Sequence, residues 1–224
     1  MYLISHPKKF IMCRVMKTGS TSFRESFARM PEVDLDPHLV TGPHLSMAEI
    51  KKSVSPEIYD NYFKFALVRN PWDRLVSFYA WAERKGRSIE SLEPYGAFLE
   101  SLYPGFNNFV EQLDNVPNRF SNRFKNFFKR ETSFSKEDLE KSNIGLPISM
   151  PQADFVRGAD FIGKLEDINN VYTYVCGKLN LPHVPLKQYN RTFRAGYKMF
   201  YNDKTRKIVE KHYAKDIKMF EYEF

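Results

Sequence analysis

The chain has 224 residues, of which 42% are hydrophobic and 27% charged, a balance that excludes a disordered protein and suits one domain with its own core. A formal charge of +7 at pH 7 favours anionic partners, but charge alone does not choose among nucleic acid, a phosphorylated cofactor, an acidic glycan and a membrane surface. Cys13 and Cys176 are too few and too distant for a disulfide framework or a metal site, and no run of about 20 apolar residues offers a membrane span, so a soluble protein of a reducing, cytoplasmic compartment is expected.

Taken in order, "FIMCRVM" (Phe10 to Met16) is short, apolar and partly β-branched, which predicts a buried strand ending where Gly19 permits a turn. In "TSFRESFARM", Phe23, Phe27 and Met30 share one helical face, with Ser20 or Thr21 available as N-cap. Prolines and Gly42 mark a loop, after which Ser46 and Glu49 form a capping-box signature for a short helix beginning just past His44. The strand, loop and helix pattern then repeats: a strand over Phe63 to Val68, a tight Asn70-Pro71 turn, and a helix carrying Leu75, Val76, Tyr79 and Ala82. Between Ser88 and Met150 the pattern is less legible, and an α-rich insertion on the acceptor side is expected, with "FNNFVEQL" helical and "NIGLPISMP" a loop. Phe120, Phe124, Phe127 and Phe128 have the spacing of an amphipathic core helix, although their basic neighbours would equally suit an anionic sugar. A third strand, Phe161 to Leu165, precedes a helix stopped by Pro182, and Ile208, Val209, His212, Tyr213 and Ile217 lie at helical spacing near the end. Three strands that each feed a helix predict an α/β fold, a central parallel sheet flanked by helices on both faces, in a single domain over 1–224. Ligands of such folds bind beyond the carboxyl ends of the strands, where the loops after Met16 and Val68 lie.

The first of those loops reads "VMKTGSTSF". A loop that opens a helix aims backbone N–H groups and the positive end of the helix dipole at whatever lies above it. Lys17 adds a full charge, and Thr18, Ser20, Thr21 and Ser22 add donors beside Gly19, which together suit a phosphate or sulfate. It is not a nucleoside-triphosphate loop of the G-x-x-x-x-G-K-[ST] type, because the lysine precedes the glycine and no first glycine exists. In the second loop Arg69 ends its strand, and Ser77 stands a little over one turn into the following helix. An arginine fork and a hydroxyl suit a dianionic phosphate, whereas the plainer reading pairs Arg69 with Asp73 or Glu83.

"MKTGSTSF" followed by "RNPWDRLVSFY" resembles the paired cofactor loops of sulfotransferases that use 3′-phosphoadenosine 5′-phosphosulfate (PAPS), in particular the carbohydrate enzymes of the heparan 2-O and chondroitin types. "DFIGKLEDI" and the closing "YNDKTRKIVEKHYAKDIKMFEYEF" are similar to the family's later core strand and last helix, so the resemblance spans most of the chain and is weakest over 88–150. It implies a P-loop-like three-layer fold and sulfuryl transfer from PAPS to a hydroxyl acceptor on a glycan or glycoconjugate. Lys17, Thr18, Gly19, Ser20, Thr21 and Ser22 would hold the 5′-phosphosulfate, and Arg69 and Ser77 the 3′-phosphate. Trp72-Asp73 departs from the Tyr-Glu or Tyr-Asp of many members without touching these ligands. Lys17 would also be catalytic, stabilising charge on the leaving adenosine 3′,5′-bisphosphate, so no metal is required.

The acceptor needs a base, and a histidine, with an unperturbed pKa of about 6.5, serves near neutrality. His44 matches the family's histidine just before the second loop; His38, in the same loop, is the other candidate. His6, His183 and His212 read as structural. Lys164 and Glu166 at the third strand's end are weaker candidates, as is a basic loop of Arg191, Arg194 and Lys198 that would close over the 3′-phosphate or simply face solvent. Two other functions remain open on sequence alone. A P-loop-like kinase using ATP and Mg²⁺ lacks the lysine placement and a Mg²⁺ carboxylate after a strand. A basic nucleic-acid-binding module fits the charge, but the bases are scattered and no binding motif appears, so no nucleic-acid partner is expected.

Overall fold

Phe10–Cys13 (β2) and Phe63–Val68 (β3) lie side by side and parallel, with Phe10 opposite Phe63 and Cys13 opposite Ala66. Phe161–Lys164 (β4) runs parallel along the other edge of β3, with Phe65 opposite Phe161 and Val68 opposite Lys164. The sheet is completed by Tyr2–Ser5 (β1), antiparallel to β2, so its order is β1-β2-β3-β4. This is the computed structural model of the chain; it describes residues 1–36, 44–86, 104–113, 148–182, 184–186 and 196–224. They fall into two compact units, Met1–Arg69 with Gln152–Arg191, and Asn70–Pro151 with Thr192–Phe224.

In the first unit the strands alternate their side chains between two faces. Phe10, Met12, Phe65 and Leu67 meet Phe23 and Phe27 of Ser20–Phe27 (α1) and Val171, Tyr172 and Val175 of Ile168–Lys178 (α7) in one buried cluster. Rings dominate it: Phe23 meets Tyr172 edge-on at 5.2 Å between centroids, and Phe10 tilts onto Phe27 at 5.3 Å. Each such pair contributes about 0.5–1.5 kcal/mol beyond area burial. Cys13, pointing the other way, sets its Sγ 3.8 Å from the oxygen of Phe155 in Gln152–Val156 (α6), which lies against β3 on that face beside Met47–Ser53 (α2). Pro56–Asn61 (α3), capped by Ser55, leads into β3. Gly163 permits the close packing of α7 on β4, since a Cβ there would stand 2.4 Å from Val171 Cγ1.

The second unit contains Pro71–Gly86 (α4), Phe106–Glu111 (α5), Asp203–His212 (α8) and Ala214–Phe220 (α9). Asn70 starts α4: its Oδ1 accepts from the N–H groups of Trp72 and Asp73, and its Nδ2 donates to Glu223 O. The Arg74 side chain is fully buried, with Nη1 donating to Met150 O and its guanidinium over the ring of Tyr213. Tyr213 in turn donates its hydroxyl to Ile148 O at 2.5 Å, so the 148–150 segment is stapled to α4 and α8.

β3 matches the sequence expectation to the residue, and the Ser46/Glu49 capping box is formed as expected. Four features correct it. β2 stops at Cys13 rather than Met16, because Arg14 to Met16 leave the ladder to form the loop. The sheet has an antiparallel edge in addition to its parallel strands. The cap of α1 is Gly19, in the left-handed region at φ 79°, and not Ser20 or Thr21, because that conformation is cheap only for glycine. The last helical stretch is broken at Tyr213 into α8 and α9. The expected insertion over 88–150, with Phe120, Phe124, Phe127 and Phe128, lies largely outside the described residues, apart from α5. Among the described residues no helix is long and apolar enough to cross a membrane.

Candidate active site

The site is built on the carboxyl ends of β2 and β3, within the first unit. Beyond β2, Arg14 and Val15 are buried, Lys17 turns into the left-handed region at φ 66°, and Gly19 does so again at φ 79°. Thr18, fully buried, folds its hydroxyl back to donate to Val15 O at 2.9 Å, closing the turn between them. A Thr18 hydroxyl committed in this way shapes the loop; it is not aimed at a ligand. Lys17 and Gly19 thus place two left-handed residues, one on each side of Thr18, immediately before α1. Ser20, Thr21 and Ser22 form the first turn of α1, with Ser22 N–H donating to Gly19 O, and no acidic residue stands in that turn to oppose an anion.

Gly19 is fixed from below by the strand that the sequence singles out as "DFIGKLEDI". A Cβ on Gly19 would lie 2.5 Å from Leu165 Cδ1, so any side chain here would have to displace the leucine as well as adopt a positive φ. Lys164 ends β4, and Glu166 is exposed in the short 3₁₀ turn Leu165–Asp167 that follows it.

Arg69 comes to the same loop from β3. Its Nη1 donates to the main-chain oxygen of Lys17 at 3.1 Å, joining two positions far apart in sequence. Its own peptide groups are held by Gln152, the first residue of α6: Arg69 N–H donates to Oε1 at 2.9 Å and Nε2 donates to Arg69 O at 2.7 Å. Sequence reading did not find Gln152. Its side chain continues the pairing of β3 one residue past the last rung, Val68 to Lys164.

His44 stands just before α2 and is pinned twice. Its Nδ1 lies 2.5 Å from Arg14 O, and Cys13 Sγ donates to the oxygen of the next residue, Leu45, at 3.3 Å. A carbonyl only accepts, so Nδ1 carries the proton in this bond and Nε2 is the acceptor nitrogen of the neutral ring. The histidine is therefore tied to the loop of Lys17, three residues before that lysine, in the tautomer a general base needs. Arg14 itself is buried, and that burial, followed by the charge of Arg24, pushes its guanidinium down to about 10. Burial likewise pushes the Cys13 thiol up to about 12.

The structure thus brings Lys17, Thr18, Gly19, Ser20, Thr21, Ser22, Arg69 and His44 into one unit. Ser77 is buried on α4 in the second unit, and its role stays the one the resemblance implies. His38, Arg191, Arg194 and His183 lie outside the described residues. Lys198 donates from Nζ to Phe224 O, His6 meets the Tyr62 hydroxyl at 2.8 Å, and His212 Nε2 meets Ser149 O at 2.7 Å. Among the described residues no group of three or more His, Cys, Asp or Glu is placed to hold a metal ion.

No curated protein matches the chain significantly. A family model does: that of the sulfotransferase family, over residues 1–223. With both units covered, the basic loop and the arginine at the strand ends and the histidine bonded to the same loop, the chain belongs to the sulfotransferase family and is a sulfuryl transferase.

Proposed function

We propose that the protein transfers the sulfuryl group of PAPS to a hydroxyl of a carbohydrate acceptor, on a P-loop-like three-layer scaffold in the cytoplasm. The observation that carries the reading is the bond from the Arg69 guanidinium to the main-chain oxygen of Lys17, which brings the arginine that follows β3 to the lysine loop that follows β2. The donor set suits the group: a lysine, an arginine, and a helix start with no acidic residue in its first turn. Lys17, the amides of 18–21 and the Ser22 side chain would hold the 5′-phosphosulfate, and Arg69 the 3′-phosphate. Bound there, PAPS supplies the sulfuryl group and departs as adenosine 3′,5′-bisphosphate.

The chain's own residues do three things. Lys17 sets a fixed positive charge where the leaving oxygen becomes negative, which lowers the barrier because the charge is in place before the bond breaks. His44 takes the acceptor's proton at Nε2 while Arg14 O keeps the proton at Nδ1, a general-base contribution of about 10²–10⁴-fold. Arg69 orients the donor by its distal phosphate, binding that is used to position the reacting end. Charge comes from side chains, amides and the helix dipole, so no metal ion is called on.

The test is a thermal-shift series with adenosine 3′,5′-bisphosphate, ATP and AMP, followed by assay of transfer to sugar and phenol hydroxyls. At 100 times its dissociation constant a ligand adds about 2.7 kcal/mol, which for a chain of this size raises Tm by roughly 5–10 °C. The bisphosphate is expected to stabilise clearly and AMP hardly at all. Equal shifts from all three would reject the two-loop assignment, and activity abolished by EDTA and restored by Mg²⁺ would favour a kinase.

A further inference from the structure

The Arg69 main chain is in an unusual position. It lies one residue past the last rung of the β3–β4 ladder, where β4 has turned into its 3₁₀ turn, and Gln152 meets both its N–H and its C=O. Its amide accepts from Arg69 N–H and donates to Arg69 O, 2.9 and 2.7 Å, in the manner of a peptide group on a neighbouring strand. The side chain that does this is completely buried, on the first residue of a helix that itself lies against β3 and is tied to β2 through Cys13 Sγ and Phe155 O.

A glutamine is well suited to this and its near relatives are not. Only a carboxamide offers one donor and one acceptor in the spacing of a peptide; a carboxylate would face the Arg69 carbonyl with a second acceptor, and an apolar side chain would make neither bond. The consequence reaches further than the backbone. The Arg69 guanidinium meets Lys17 O at 3.1 Å, so the direction in which the arginine leaves the strand decides whether it reaches the loop at all. Holding both peptide groups of one residue removes most of its freedom to swing.

We propose that Gln152 is a positioning residue for nucleotide recognition: by clamping the peptide groups of Arg69 it fixes the guanidinium where it selects a 3′-phosphorylated nucleotide over one without that phosphate. This rests on the reading of Arg69 as the 3′-phosphate ligand. Gln152 touches neither donor nor acceptor; it acts through Arg69.

The experiment measures adenosine 3′,5′-bisphosphate and AMP by calorimetry on the full chain as wild type, Gln152→Met, Gln152→Glu, Arg69→Ala and Gln152→Met/Arg69→Ala. Methionine keeps the length and volume without polar atoms; the glutamate keeps the acceptor for Arg69 N–H and serves if the methionine variant does not fold. The expected result is a loss of about tenfold for the bisphosphate, less than about twofold for AMP, and no further loss when Gln152→Met is added to Arg69→Ala, because the two act as one unit. Equal losses for both nucleotides, or losses that add in the double variant, would assign Gln152 a general structural role and overturn the proposal alone. A wild-type chain that binds both nucleotides equally would overturn the 3′-phosphate reading, and this inference with it.

Discussion

Arg69 donates from Nη1 to the main-chain oxygen of Lys17 across 3.1 Å, so the arginine that ends β3 also braces the loop that follows β2. That loop needs bracing. Lys17 is a non-glycine residue at φ 66°, a conformation that costs roughly 1–2 kcal/mol and is kept only where its surroundings hold it.

Arg69→Ala is therefore expected to do more than remove a phosphate contact. Loss of one charge-assisted bond, about 1.5–3 kcal/mol, lowers bisphosphate affinity roughly 10- to 100-fold. Turnover should also fall at saturating donor, because the loop that carries the proposed catalytic lysine then loses the Arg69 brace. Arg69→Lys restores the charge but not the planar fork and should recover only part of the affinity. Calorimetry with the bisphosphate and steady-state kinetics on the three proteins check this; normal turnover at saturation in Arg69→Ala would show that the brace is dispensable.

His44→Ala should behave in the opposite way. The ring is held at Nδ1 by Arg14 O, and as the proposed base it would serve the acceptor and not the donor, so bisphosphate affinity is expected to stay near wild type while turnover drops by about 10²-fold or more. Calorimetry and turnover, measured together, separate the two effects. Normal turnover would move the role of base to His38, and His38→Ala becomes the next protein to make.

Gly19 joins the loop to β4. Gly19→Ala meets two penalties, the left-handed φ of 79° and a Cβ 2.5 Å from Leu165 Cδ1, and should destabilise by about 1–3 kcal/mol. For 224 residues that lowers Tm by roughly 2–4 °C per kcal/mol. Leu165→Ala removes the clash without touching the backbone, so the double variant should melt above the sum of the two single losses. Strictly additive losses by thermal denaturation would mean that the leucine already moves aside.

Much of this was legible in the sequence where one local signal decided the outcome. Phe63 to Val68 is apolar but for Lys64 and is cut off by Arg69-Asn70-Pro71, and the strand has those ends; Ser46 and Glu49 are three apart, and the box forms. β1 was missed because Tyr2–Ser5 is only four residues long and its turn to β2 places Lys9, not a glycine or asparagine, at φ 47°. In "KTGSTS" the hydroxyls drew attention as caps, whereas the conformation that starts α1 belongs to the glycine before them. Gln152 carried no local signal at all. A glutamine after a proline is ordinary, and its meaning comes from a partner 83 positions away that only the sheet brings alongside.

The buried acids of the core set the last expectation, which concerns alkaline pH. Burial raises the Cys13 thiol from 9.0 to about 12 and Tyr172 from 10.0 to about 12, and raises Cys176, Tyr59 and Tyr213 in the same direction. Each of these groups keeps its proton longer in the folded chain than in the unfolded one. Below about pH 8 both states are protonated and nothing is lost; as pH rises from there towards 12 the unfolded state releases protons that the folded state holds, and stability falls. Chemical denaturation at stepped pH is therefore expected to show a stability that is level with respect to these groups up to about pH 8 and declines increasingly steeply above it. Cys13→Ala should flatten part of the decline. The same burial keeps the thiolate scarce, so neither cysteine should react with a thiol reagent at pH 8 in the native protein, and both should react once it is unfolded. Rapid native labelling of Cys13 would contradict its burial between β2 and the main chain of Leu45 and Phe155.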